Sequence, residues 1–109
     1  MAEVTPVTKC EAVASEIRKY SEWNASKMLA IAQAENGTCD PLNHNLTMSE
    51  NHRVCVGSYG VLQVGCLHYE AHEDRDDLST NVAVAYRVWQ QQGYQAWSTF
   101  NSSIYLKYL

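Results

Sequence analysis

The sequence predicts a small, mainly α domain with at most a minor β-hairpin and disulfide stabilisation. Three observations predict it. Apolar residues recur at helical spacing in separate stretches, around Val13, Met28 and Val82. The segment between the second and third stretches is irregular and rich in Asn, too polar for a core element. Four cysteines, Cys10, Cys39, Cys55 and Cys66, form an even set without a CxxC pair, which points to disulfides and an oxidising compartment rather than to zinc or thioredoxin-type chemistry. At 109 residues the chain makes about one domain, 1–109, long enough to bury a single core.

In chain order, residues 9–20 set Val13, Ile17 and Tyr20 at the spacing of a short amphipathic helix. Asn24 or Ser26 caps a second helix. In it Met28, Ala32 and Glu35 follow one face, Leu29 and Ile31 fill the flanks, and Asn36-Gly37 supplies the left-handed residues that end helices. Residues 38–54 read as a long loop or a small hairpin, and flanking cysteines favour a functional loop. Residues 55–69, "CVGSYGVLQVGCLHY", read as a turn leading into a short helix. Between Glu70 and Asp77 five acids crowd around Arg75; the spaced oxygens and central Gly of a calcium loop are missing, so a solvated loop is expected. Ser79 or Thr80 then caps the strongest helix, with Val82, Ala85, Tyr86 and Trp89 at i, i+3, i+4 and i+7 and a stop at Gly93. The aromatic tail beyond it is too short for another long helix. Four cysteines allow several pairings; Cys55 with Cys66 would staple a glycine-containing stretch and leave Cys10 with Cys39, and the other reading is four buried thiols.

A net charge of -4 provides neither a nucleic-acid footprint nor a polybasic membrane patch. No run reaches the roughly 20 apolar residues of a membrane span. The N-terminal stretch lacks the basic flank and apolar centre of a signal peptide, so export would be encoded elsewhere or by a removed leader. His68 has no partnering His or Cys pattern, and neither a metal nor a cofactor is expected.

Glu35 is the residue that calls for an explanation. At the last turn of an apolar helix the unpaired carbonyls carry partial negative charge, and Met28 and Ile31 offer an apolar wall; both disfavour an ionised carboxylate. A general acid at neutral pH needs that environment, since its pKa must rise from about 4 toward about 6. A solvated helix-end glutamate is the plain alternative.

The residues Ala32, Glu35, Asn36 and Gly37, followed after a loop by Ser58, Gly60, Val61, Leu62, Gln63 and Val64, carry a further signal. An acid helix of the form A-x-x-E-(S/N)-G and then S-x-G-(L/V)-(M/L)-Q-(I/V) resembles the lysozyme-like transglycosylase (SLT) family of peptidoglycan-cleaving enzymes. The closing segment "NVAVAYRVWQQQGYQAWSTFNSSIY" looks like that family's last helix, glycine and aromatic-Asn pair, so the resemblance covers most of the chain from about Met28. Asn36 stands where Ser commonly follows the acid, and Phe100-Asn101 where Tyr-Asn is common.

The resemblance implies an α+β lysozyme-like fold with a cleft, and cleavage of the β-1,4 bond between N-acetylmuramic acid and N-acetylglucosamine, on a peptidoglycan glycan strand as partner. Glu35 would protonate the bridging oxygen, then as carboxylate take the proton of the sugar's own C6 hydroxyl, closing a 1,6-anhydro ring without water. A muramidase that hydrolyses the same bond would add a second carboxyl, about 5 Å away as nucleophile or about 6.5 to 9.5 Å away as base. Asp40 and Glu50 are the candidates for it. Gln63 would bind substrate, Ser58 and Gly60 would shape the turn that brings this segment beside Glu35, and Asn101 would bind distally. Sugar clefts use aromatic faces, for which Tyr59, Tyr69, Tyr86, Trp97 and Tyr105 are available. Trp89 reads as core.

The competing classes are a non-catalytic cell-wall glycan-binding module and a disulfide-stabilised interaction or inhibitor domain. An extracytoplasmic or secreted monomer is expected. Four Asn-x-Ser/Thr sequons occur, at Asn24, Asn36, Asn45 and Asn101. Two lie where the cleft is placed, so they read as chance, in keeping with a bacterial or phage source.

Overall fold

The computed structural model describes residues 6–37, 39–45 and 57–109. Helix α1 runs Pro6–Arg18 and buries Val13 and Ile17, one helical turn apart on the inward face. It stops before Tyr20, which packs against the core as a flanking ring. The chain then turns on Trp23, 3% exposed, whose indole N–H donates to the Ile17 carbonyl at 2.8 Å. That bond satisfies a helix-end acceptor and fixes the entry to the next helix.

Helix α2, Ala25–Glu35, begins at Asn24, whose side chain accepts from the Lys27 N–H at 3.0 Å. It is the central helix: Met28, Ala30, Ile31 and Ala32 are all buried. Three two-residue strands follow, β1 (His44–Asn45), β2 (Ser58–Tyr59) and β3 (Val64–Gly65), as one antiparallel sheet in the order β1-β2-β3. Tyr59 sits opposite His44 on one side and Val64 on the other. Only β1 lies in the polar segment 38–54; β2 and β3 both come from the glycine-containing stretch expected to be a turn, and the polar segment beyond β1 lies outside the described residues. A 3₁₀ turn, Cys66–His68, supplies the short helix expected there.

Helix α3, Leu78–Gln92, buries Asn81, Val82, Val84, Ala85 and Val88 and stops at Gly93, φ 74°. Its cap differs from expectation. Asp77, not Ser79 or Thr80, is the N-cap, and its carboxylate accepts from both the N–H and the hydroxyl of Thr80 at 2.9 and 2.8 Å. An aspartate two residues before Ser79 outcompetes the hydroxyls because it accepts twice and carries the charge that a helix N-terminus favours. The tail forms a 3₁₀ turn (Gly93–Ala96), a short helix α4 (Ser98–Asn101) and a second 3₁₀ turn (Ile104–Tyr108) packed on α2. The protein is therefore mainly helical with one small sheet, around a single core cluster that draws on α1, α2, α3 and the β2–β3 segment.

Cys10 of α1 is bonded to Cys39, just past α2, across 29 residues. Cys66 is also disulfide-bonded, and Cys55, the partner expected for it, lies outside the described residues. Closing a loop of that length restricts the unfolded chain by roughly 3 to 4 kcal/mol in the chain-entropy model. Cys10→Ser/Cys39→Ser is expected to lose about that much, read as a lower denaturant midpoint. A loss under about 1 kcal/mol would mean that native-state contacts, not the crosslink, hold α1 to this turn.

Candidate active site

The end of α2 is built by Asn36. Its side chain is 3% exposed, its N–H donates to the Ala32 carbonyl at 2.8 Å, and its Nδ2 donates to the Asp40 carbonyl at 2.7 Å. Cys39 N–H closes on the Asn36 carbonyl at 3.2 Å. Among the described residues of this turn Cys39 is left-handed, φ 59°, and neither Asn36 nor Gly37 adopts that conformation. The expectation for Asn36-Gly37 is corrected accordingly: the Asn36 N–H satisfies the helix-end Ala32 carbonyl and its buried side-chain amide holds the turn through the Asp40 carbonyl, so neither residue needs a left-handed step.

Glu35 is the last residue of α2, half-buried, and its Oε2 accepts a hydrogen bond from the hydroxyl of Thr99 on α4 at 2.9 Å. Helix α4 is itself anchored by Trp97, whose indole N–H donates to the Leu62 carbonyl at 2.8 Å. The acid and Gln63, adjacent to Leu62, are thus held to one short helix. The ring of Trp97 is not an open sugar platform as expected; it is 4% exposed and serves as this anchor.

Between β2 and β3 the chain reverses through Gly60, φ 82°, and Gln63, φ 46°. Gln63 Nε2 donates to the backbone carbonyls of Asn43 and Gly60 at 3.0 and 2.7 Å. One bond ties the turn to the residue preceding β1 and the other closes the turn on itself, and Oε1 is the atom left to meet a ligand. Beneath the turn lies Asn81, fully buried. Its Oδ1 accepts from the Leu62 N–H at 3.1 Å, and its Nδ2 donates to the Tyr59 carbonyl at 2.9 Å and to the Tyr69 hydroxyl at 2.5 Å. Burial pushes that hydroxyl's pKa up to about 12, so it stays protonated.

The other expected residues fall in different places. Ser58 is buried in β2, and the Tyr59 ring meets Tyr69 edge-on with the Arg75 guanidinium 4.6 Å from its centroid. Tyr86 belongs to a cluster with Tyr20, Trp23 and Trp89, and its hydroxyl is engaged by the Glu22 carboxylate. Tyr105 stacks on Phe100 at 5.1 Å, and Asn101 is exposed with its Nδ2 on the Gln95 carbonyl at 2.9 Å. Asp40 Oδ1 accepts from the Leu42 N–H at 2.9 Å, the turn-starting role ordinary for Asp. Glu50 lies outside the described residues.

Thr99 and Asn81 escape sequence reasoning. Thr99 meets an acid 64 positions earlier, and nothing local marks it. Asn81 offers a usable signal, a polar side chain one position before Val82 in an otherwise apolar helix face, where an amide must find partners.

The acidic loop contributes one strong pair. Arg87 makes two hydrogen bonds to Glu73, at 2.9 and 3.1 Å, and a third to the His68 carbonyl at 2.8 Å. The guanidinium holds the Glu73 carboxyl at about 2, below its ordinary 4.5. Because the folded value is the lower one, the pair's contribution is complete above pH 4.5 and is lost as pH falls through about 2. Denaturant midpoints of the wild type and Glu73→Gln are expected to differ at neutral pH and to converge toward pH 2. A gap that persists there would assign the difference to packing.

Among the described residues there is no group of three or more His, Cys, Asp or Glu that could hold a metal, and no helix is long and apolar enough to cross a membrane. No family model matches the chain, and neither a curated protein nor a solved structure matches it.

Proposed function

We propose that the chain is a peptidoglycan-cleaving glycosidase, a lytic transglycosylase of the lysozyme-like (SLT) kind. It would act on the β-1,4 bond between N-acetylmuramic acid and N-acetylglucosamine. The observation that carries the reading is Glu35 at the C-terminal end of a buried helix, half-buried and held by a hydroxyl from α4. Helix-end carbonyls and partial burial favour the protonated carboxyl, and a fixed rotamer aims it. Protonation of the bridging oxygen by Glu35 breaks the bond to the muramyl anomeric carbon. The resulting carboxylate then takes the C6 hydroxyl proton as C6 oxygen attacks that carbon. Asp40 supports a one-carboxylate mechanism, since its side chain is engaged in its own turn.

Gln63 Oε1 and the exposed Asn101 are the polar groups that would meet sugar amides and hydroxyls. A Cys10–Cys39 disulfide fits an extracytoplasmic or secreted enzyme acting on the wall. The test is digestion of purified peptidoglycan with the oxidised protein, followed by mass spectrometry of the released ends. Anhydro-muropeptides are expected. Hydrated reducing ends would make it a muramidase and return attention to Asp40 and Glu50; retention on the wall without cleavage would make it a binding module.

A further inference from the structure

The contact between Thr99 and Glu35 joins residues far apart in sequence and would not arise from local helix geometry. We infer that Thr99 is a positioning residue that fixes the rotamer of the Glu35 carboxyl through both proton transfers; this rests on the function proposed above. Its hydroxyl donates to Oε2 at 2.9 Å. Its orientation is set on both sides: Trp97 is pinned to the Leu62 carbonyl, and Phe100 lies between Tyr94 and Tyr105, with centroids at 5.6 and 5.1 Å. With the flanking rings committed, the Thr99 side chain is directed onto α2.

A carboxyl that must give a proton and take one back works best if its rotamer does not change between the two steps. The Thr99 hydroxyl can donate to the carboxyl in both protonation states and so hold it in place throughout. In the first step the carboxyl proton moves to the bridging oxygen as the glycosidic bond breaks. In the second the C6 hydroxyl returns a proton to the carboxylate as its oxygen bonds to the anomeric carbon, which restores the starting carboxyl. The Thr99 hydrogen is not consumed.

The donor also stabilises the carboxylate against the helix-end carbonyls, so removing it should raise the Glu35 pKa. Thr99→Val keeps the shape and removes the donor; Thr99→Ser keeps the donor. Two readouts are compared across the three proteins: NMR titration of the Glu35 carboxyl, which needs no substrate, and the pH profile of kcat and KM on peptidoglycan. In Thr99→Val the titration is expected to move upward, with kcat down about tenfold or more and KM little changed. Thr99→Ser should restore both. An unmoved titration in Thr99→Val, or a Thr99→Ser protein indistinguishable from it, overturns the inference. If the wild type shows no Glu35-dependent cleavage, the proposed function falls, whereas the titration arm still decides whether Thr99 governs the acid.

Discussion

Glu35→Gln is expected to reduce wall cleavage by roughly 10²- to 10⁴-fold while leaving the fold intact. The amide matches the carboxyl in shape, and its oxygen can still accept from the Thr99 hydroxyl. What it lacks is a proton to give to the bridging oxygen and a lone pair basic enough to take one back. Stability should stay within about 0.5 kcal/mol of the wild type, or rise slightly, because a carboxylate beside helix-end carbonyls is unfavourable when ionised. Full activity in this variant would remove Glu35 from the mechanism. Loss of activity together with a large loss of stability would make it a structural residue.

Gly60→Ala should be among the most damaging single-atom additions available in the described residues. A Cβ at this position would lie 2.4 Å from Asn81 Cγ and 2.5 Å from its Nδ2, in a backbone held at φ 82°. Asn81 cannot yield cheaply: it is fully buried and makes hydrogen bonds to Leu62, Tyr59 and Tyr69. The left-handed backbone alone costs a non-glycine residue about 1 kcal/mol. Displacing the amide sacrifices several hydrogen bonds at about 1 kcal/mol each and leaves buried groups unsatisfied. A loss of roughly 3 to 5 kcal/mol follows, a large share of the stability of an ordinary domain. The double variant Gly60→Ala/Asn81→Ala checks the cause, because relief of the clash should make its cost smaller than the sum of the singles. Strict additivity would locate the damage in the backbone conformation alone.

The helices were legible because each carries its own apolar period: Val13 and Ile17, Met28 and Ala32, Val82 and Ala85 are all buried as their spacing requires. Gly93 was legible as a stop, and Asn24 as one of two possible starts beside Ser26, because capping is local chemistry. The strands were not, since two residues are too few to show an alternation. Nor was the turn after β2 fully legible: glycine at 60 announces it, yet Gln63 takes a left-handed conformation that its residue type does not advertise, stabilised by its own side-chain bonds to Asn43 and Gly60. At the site, Glu35 could be singled out from its position on a helix, whereas Thr99 and Trp97 become relevant only once α4 has folded back against α2 and the β2–β3 turn. The error at Trp97 has the same origin, because an indole with one donor and a large apolar face suits a buried anchor as well as a sugar platform.

The buried cap at Asn36 also bears on how the protein can be made. Asn36-Gly37-Thr38 reads as an acceptor for N-linked glycan, but in the folded chain this amide nitrogen is occupied by the Asp40 carbonyl and screened from solvent. In a host whose secretory pathway attaches sugar to nascent chains, a transferase would compete with closure of this turn. A chain modified at Asn36 would be unable to seat the cap beside its acid. Yield there would be set by a race between two enzymologies, whereas a bacterial periplasm supplies the oxidant for Cys10 and Cys39 without the competing reaction.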